Sequence, residues 1–163
     1  MTSQPASEFP LAGGCACRAV RYRMISAPII VHACHCSYCQ RETGSAFVLN
    51  AVIESERVVF DAAEPERVDT PSHSGKGQQI FRCSSCRVAL YSHYMQAGDA
   101  FRFLRVGTLD QPGLVPPDVH IYTSTKLPWL TLPEGARAVP EFYNPGEVWS
   151  QESMARWQAG RAR

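Results

Sequence analysis

The chain has 163 residues, 45% of them hydrophobic and 19% charged, a balance that fits one folded domain and excludes an intrinsically disordered chain. The formal net charge is +1, and the basic residues are scattered, which argues against nucleic acid or an anionic membrane as partner. No apolar run approaches the roughly 20 residues of a membrane helix, and the N-terminal residues lack the charged and apolar regions of a secretory signal, so the expected location is the cytoplasm.

Residues 1–10 read as a mobile leader. Val20, Tyr22 and Met24 then alternate with Arg21 and Arg23, the pattern of a half-buried strand. Further strands are expected at Ile29-Ile30-Val31, at Phe47 through Ile53 and at Val58-Val59-Phe60. Residues 61–77 are polar and rich in Pro, Ser and Gly, and read as loop. Gln79-Ile80-Phe81 and Ala89-Leu90-Tyr91 flank a cysteine pair and suggest a hairpin around a metal knuckle. Phe101 through Val106 alternate up to Gly107, and Val119-His120-Ile121-Tyr122 forms the last strand. Helix signals are few: a turn from Ser37 to Arg41, and a helix start at Asn144-Pro145-Gly146-Glu147, with Asn as cap and Pro at the first position. The whole reads as a mainly β single domain with short helical turns.

Seven cysteines dominate the chemistry. A reducing compartment disfavours stable disulfides, and an odd number cannot pair fully within one chain, so metal or reactive thiols are the expectation. Cys15-Ala16-Cys17 and Cys83-Ser84-Ser85-Cys86 each offer two sulfurs on a tight turn, while Cys34-His35-Cys36-Ser37-Tyr38-Cys39 offers three within six residues. Structural zinc is almost always tetrahedral, so joining the outer pairs would close a four-thiolate shell; free thiols are the competing reading. Three protein ligands with a vacant corner is the pattern of catalytic zinc. Three thiolates donate strongly, which suits thiol activation better than water activation. The competing readings of the middle trio are a structural or metal-free cluster and a redox pair, Cys36/Cys39, although no βαβ pattern surrounds that pair.

Other residues are weighed against plainer roles. His35, between two ligands, is a candidate general base or fourth ligand, or points outward. Arg41 is a candidate holder of a substrate carboxylate, and equally a solvated arginine. Thr43, Gly44 and Ser45 either line a pocket or form the turn into the next strand. His32, His73, His93 and His120 lack ligand spacing and read as surface or ordinary hydrogen-bonded residues. Trp129 reads as a partly buried aromatic beside Lys126, or as a pocket wall.

These stretches resemble the glutathione-dependent formaldehyde-activating enzyme family, which also includes centromere protein V-like proteins. The likeness rests on Gly13-Gly14-Cys15-Ala16-Cys17 with Val20-Arg21-Tyr22, on Cys34-His35-Cys36-Ser37-Tyr38-Cys39 with Thr43-Gly44-Ser45-Ala46-Phe47, on Phe81-Arg82-Cys83-Ser84-Ser85-Cys86, on Gly107-Thr108-Leu109-Asp110 and on His120-Ile121-Tyr122. The resemblance implies a β-tent-like fold in residues 11–145, followed by a C-terminal extension at 146–163. It also implies two zinc ions: a structural one on Cys15, Cys17, Cys83 and Cys86, and a catalytic one on Cys34, Cys36 and Cys39. The activity implied is that of a carbon–sulfur lyase joining a thiol, glutathione or similar, to formaldehyde, with small thiol and aldehyde substrates as partners. The alternative expectation is a non-catalytic zinc module that docks a protein or small ligand. Two positions depart from the family pattern. Gln40 stands where Arg or Lys commonly follows the middle motif, which removes a cation expected near an acidic tripeptide, and Arg87 stands where Gly commonly follows the last pair.

Overall fold

The computed structural model describes residues 8–162 and contains ten strands and three helices among them. In chain order these are β1 (Leu11–Gly14), β2 (Arg21–Met24), β3 (Ile30–Cys34), α1 (Ser37–Thr43), β4 (Val48–Glu54), β5 (Val58–Phe60) and β6 (Glu66–Thr70). They continue with β7 (Gln78–Arg82), β8 (Ala89–Tyr94), β9 (Phe101–Arg105), β10 (Val119–Ile121), α2 (Pro145–Val148) and α3 (Gln151–Arg161). The strands form two sheets, a small one in the order β1-β2-β5 and a large one in the order β10-β3-β4-β9-β8-β7-β6. Every pairing is antiparallel except β10 with β3. The expectation of a mainly β single domain holds.

Strand alternation divides the large sheet into two buried faces. Val31, Ala51 and Leu104 lie on one face and pack in one core with Tyr22, Met24 and Val58 of the small sheet. Ile30, Cys34 and Val52 lie on the other, in a second core with Phe101, Val119 and Ile121. Trp149 and Trp157 of the C-terminal segment pack against that second core. Central strands buried on both faces lose the polar alternation of a half-exposed sheet, which is why β3 and β4 read as continuous apolar runs.

Two expectations are corrected. Residues 61–77 are not all loop, because β6 pairs with β7 along its length from Glu66↔Arg82 to Thr70↔Gln78. This edge strand exposes four of its five residues, so it carries no burial signal to read. Trp129 is 69% exposed rather than partly buried. Of the expected leader, residues 1–7 lie outside the described residues, whereas Phe9 packs against the first core. The helix start at Asn144 is present, with its Oδ1 accepting from the Gly146 amide, but α2 is a single turn and a new Ser150 cap begins α3.

Candidate metal centres

The four-cysteine group is assembled from two distant turns. The first follows β1, where the Val20 amide donates to Cys15 Sγ at 3.3 Å and the Cys15 and Cys17 sulfurs stand 3.5 Å apart. The second is the β7–β8 connection, closed by Arg87 N donating to the Cys83 carbonyl and Cys83 N to the Val88 carbonyl, each at 3.0 Å. Cys17 Sγ lies 3.7 Å from Cys83 Sγ, and the sulfurs of Cys15, Cys17, Cys83 and Cys86 all lie within 4.8 Å of one another. Sulfurs about 2.3 Å from a tetrahedral centre stand about 3.8 Å apart, so this spacing fits zinc. Each turn carries its second cysteine into a left-handed residue, Arg18 at φ 66° and Arg87 at φ 62°. The departure at Arg87 therefore keeps the knuckle geometry with a residue for which that conformation costs roughly 1–2 kcal/mol.

The middle group is local. Cys34 ends β3, Cys36 caps α1 with its Sγ accepting from the Cys39 amide at 3.4 Å, and Cys39 sits in the first helical turn. Gly44, at φ 65°, ends this helix, its amide donating to the Gln40 carbonyl. The three sulfurs lie within 4.8 Å of one another, and all three residues are buried. Hydrogen bonds from Cys34 and Cys39 hold the Cys36 thiol far below the usual thiol range, and the same contacts, with burial, push Cys34 far up. Crowding of the three thiols thus opposes their deprotonation together. A bound dication would offset that opposition, because metal ligation deprotonates coordinating thiols. Among the described residues no fourth Cys, His, Asp or Glu joins the trio.

His35 points inward and is not grouped with the three sulfurs. It is fully buried, its Nε2 lies 2.9 Å from His120 Nδ1, and its ring stacks on His120 and tilts against Phe47. Burial, reinforced by His120 and Lys126, pulls its pKa down to about 4, so it is neutral at pH 7. His120, read as a singleton, is thus the partner of His35 and is buried too. Gln40 is occupied with backbone: its Nε2 donates to the carbonyls of His35 at 2.7 Å and Thr125 at 2.9 Å, tying α1 to the segment after β10. Arg41 is exposed.

Several residues around the trio had no signal in the sequence. Burial raises the Tyr122 and Tyr94 phenols, and the charge of the thiol trio raises both further. Tyr122 itself takes a left-handed backbone, φ 56°. On the same face as Cys34, the buried His32 meets Tyr143, its Nε2 2.5 Å from the Tyr143 hydroxyl, which also accepts from Trp149 Nε1 at 2.7 Å. The buried Arg105 donates to Asn50 Oδ1 and Ser92 Oγ across three strands. Thr43 and Ser45 line a cleft of about 460 Å³ beside α1, as one of the two readings of that segment expects.

The chain is similar to several known proteins. A curated protein of Halomonas elongata, named "Putative glutathione-dependent formaldehyde-activating enzyme", is 26% identical over 159 residues, covering 91% of this chain and 94% of its own. A Rhodobacter sphaeroides protein of known crystal structure aligns at 15% identity with a TM-score of 0.46, covering 61% of this chain and 88% of that one. No helix of the structure is long and apolar enough to cross a membrane. The family model described as "Glutathione-dependent formaldehyde-activating enzyme" matches residues 10–125, a span that contains all seven cysteines, and the chain therefore belongs to that family.

Proposed function

We propose that this chain is a zinc-dependent enzyme of the carbon–sulfur lyase type, which takes a small thiol, glutathione or similar, and adds it reversibly to an aldehyde such as formaldehyde. The observation that carries this reading is the separation of the cysteines into a complete set of four and an incomplete set of three. Cys15, Cys17, Cys83 and Cys86 would hold a structural zinc with no corner left for substrate. Cys34, Cys36 and Cys39 would hold the second. When bound there, zinc supplies the positive charge that acidifies a coordinated thiol at neutral pH.

The reaction then balances simply. The substrate sulfur loses its proton to solvent and forms the bond to the carbonyl carbon, and the C=O pair moves onto oxygen, which takes up a proton. That oxygen would need a hydrogen-bond donor close to the trio. His35 has a different part. Paired with His120 beneath the loop, it fixes the conformation that presents Cys34 and Cys36 on one side, and it has no exposed nitrogen to move a proton.

The test is a thiol-dependent aldehyde-consumption assay on zinc-loaded protein, corrected for the uncatalysed addition, which is fast. Turnover above background that disappears in Cys36→Ser supports the assignment. Unchanged turnover in that variant rejects it. Thiol binding with no rate increase would instead favour a non-catalytic module that docks a small ligand.

A further inference from the structure

The cleft of about 460 Å³ opens where the ends of β4, β7, β8 and β9 meet the C-terminal end of α1, and its walls include Glu42, Thr43, Ser45, Val48, Arg82 and Arg105. It adjoins the middle trio: Glu42 follows Cys39 by three residues, on the same side of α1, and the Thr43 hydroxyl donates to the Cys39 carbonyl at 2.8 Å. Arg105, at 7% exposure, is the buried member of this set. Its Nη1 donates to Asn50 Oδ1 at 2.5 Å and to the Phe103 carbonyl at 3.3 Å, and its Nη2 to Ser92 Oγ at 2.8 Å.

A guanidinium has five donors. These bonds use three of them, and Arg105 Nε is buried with no hydrogen-bond partner among the described residues. Glu42 Oε2 stands 3.8 Å from Arg105 Nη2, an ion-pair separation too long for a hydrogen bond. The other Glu42 oxygen accepts from Arg82. Two guanidiniums therefore face one carboxylate, and the cleft carries a formal surplus of one positive charge. A buried guanidinium with spare donors is costly unless an anionic oxygen meets it. Gln40, at the position where a cation was expected, is tied to backbone carbonyls and brings no charge. The cations beside the trio come instead from β7 and β9.

We propose that this cleft is the anion subsite of the thiol centre. Arg105 and Arg82 hold a carboxylate of the substrate, and Glu42 competes for the same cations when the cleft is empty. Its connection to chemistry rests on the function proposed above, to which it adds the residues that would hold the substrate's carboxylate.

The test uses zinc-loaded full-length protein and isothermal titration with three probes: 3-mercaptopropionate, propionate and the neutral 3-mercapto-1-propanol. The expected result is that the wild type prefers the mercapto acid to the mercapto alcohol by about tenfold or more, the effect of a charge-assisted contact. Arg82→Gln, at a side chain partly open to solvent and so compatible with folding, should erase that preference. Arg82→Lys should keep part of it, and Glu42→Gln should tighten propionate several-fold. Thermal melts establish that each variant is folded. A wild-type preference below twofold, or variants that leave the preference unchanged, overturns the subsite. Propionate has no thiol, so its binding reports the cleft independently of turnover. If propionate binding and its response to Glu42→Gln hold while no thiol–aldehyde turnover is detected, the subsite stands and the proposed reaction falls. If both thiols turn over equally and no variant shifts binding, the reaction stands and the subsite falls.

Discussion

The two cysteine groups use one element in opposite ways. The group of four joins a turn after β1 in the small sheet to the β7–β8 turn of the large sheet, across 66 residues of chain between Cys17 and Cys83. The group of three comes from one segment of six residues at the end of β3. A metal held by the first would tie the two sheets together beyond the core that they already share. An ion held by the second would matter less to either sheet, because α1 is also held by its own cap and by the Gln40 contacts. Ligands drawn from distant parts of a chain stabilise a fold, while ligands drawn from one loop leave a centre free to exchange its fourth partner.

The sharpest way to break this contrast is to compare serine substitutions in the two groups. Cys83 is fully buried, and Cys83→Ser should remove one zinc and cost about 3–5 kcal/mol, since metal-site free energy is folding free energy. Thermal melts with elemental analysis would show a large fall in Tm and one retained equivalent of zinc. Cys36→Ser should also retain one equivalent, yet lower turnover by at least about 100-fold with Tm nearly unchanged, because serine replaces the cap of α1 well. A comparable loss of Tm in both variants would remove the distinction.

The next effects concern what covers the face that carries the trio. Gly160 of α3 lies against Phe101, and a Cβ built at Gly160 would come within 2.3 Å of that fully buried ring. Phe101 also stacks on Trp157 at 4.1 Å, so neither ring can yield, and Gly160→Ala should cost about 1–3 kcal/mol in denaturant melts. Glu54 meets Arg156 of the same helix through two hydrogen bonds, at 2.8 and 2.6 Å. Burial raises the Glu54 pKa, but the Arg156 hydrogen bonds outweigh it and hold the carboxyl below its ordinary 4.5. The pair's contribution is therefore full above about pH 4.5 and is lost as pH falls through the lower folded value. Arg156→Gln should cost about 2 kcal/mol at pH 7, and its difference from wild type should shrink in melts below pH 4.

The smallest effect tests the knuckle. Arg87→Gly relieves a left-handed arginine, worth about 1 kcal/mol, but loses the 2.7 Å Glu66 contact and loosens the unfolded chain. Tm should stay within about 2 °C of wild type, with two zinc equivalents retained. A large loss of metal would show that Arg87 does more for the four-cysteine site than shape its turn.

The ligand sets were legible because each depends on close spacing along the chain. Two or three sulfurs separated by one or two residues can reach one ion whatever the rest of the fold does, and the arithmetic of four and three follows from Cys15, Cys17, Cys83 and Cys86 against Cys34, Cys36 and Cys39. The strands with alternating or continuous apolar patterns were legible for the same local reason, as at Tyr22 and Met24. The edge strand β6 was not, because its side chains mostly face solvent and its hydrogen bonding to β7 leaves no burial pattern in the sequence. The His35–His120 pair was equally invisible: 85 residues separate its members, and the parallel pairing of β10 with β3 brings them together.

By itself, then, the sequence determined which atoms can bind metal, the mainly β character and the kinship of the chain, since these depend on residue type and short-range spacing. Only the tertiary structure decided that His35 turns inward, that Gln40 serves the backbone, and that Arg82 and Arg105 converge on Glu42 beside the trio. Those outcomes depend on strand order and register, which set side chains from distant segments within a few ångströms of one another, and neither is written in any local run of residues.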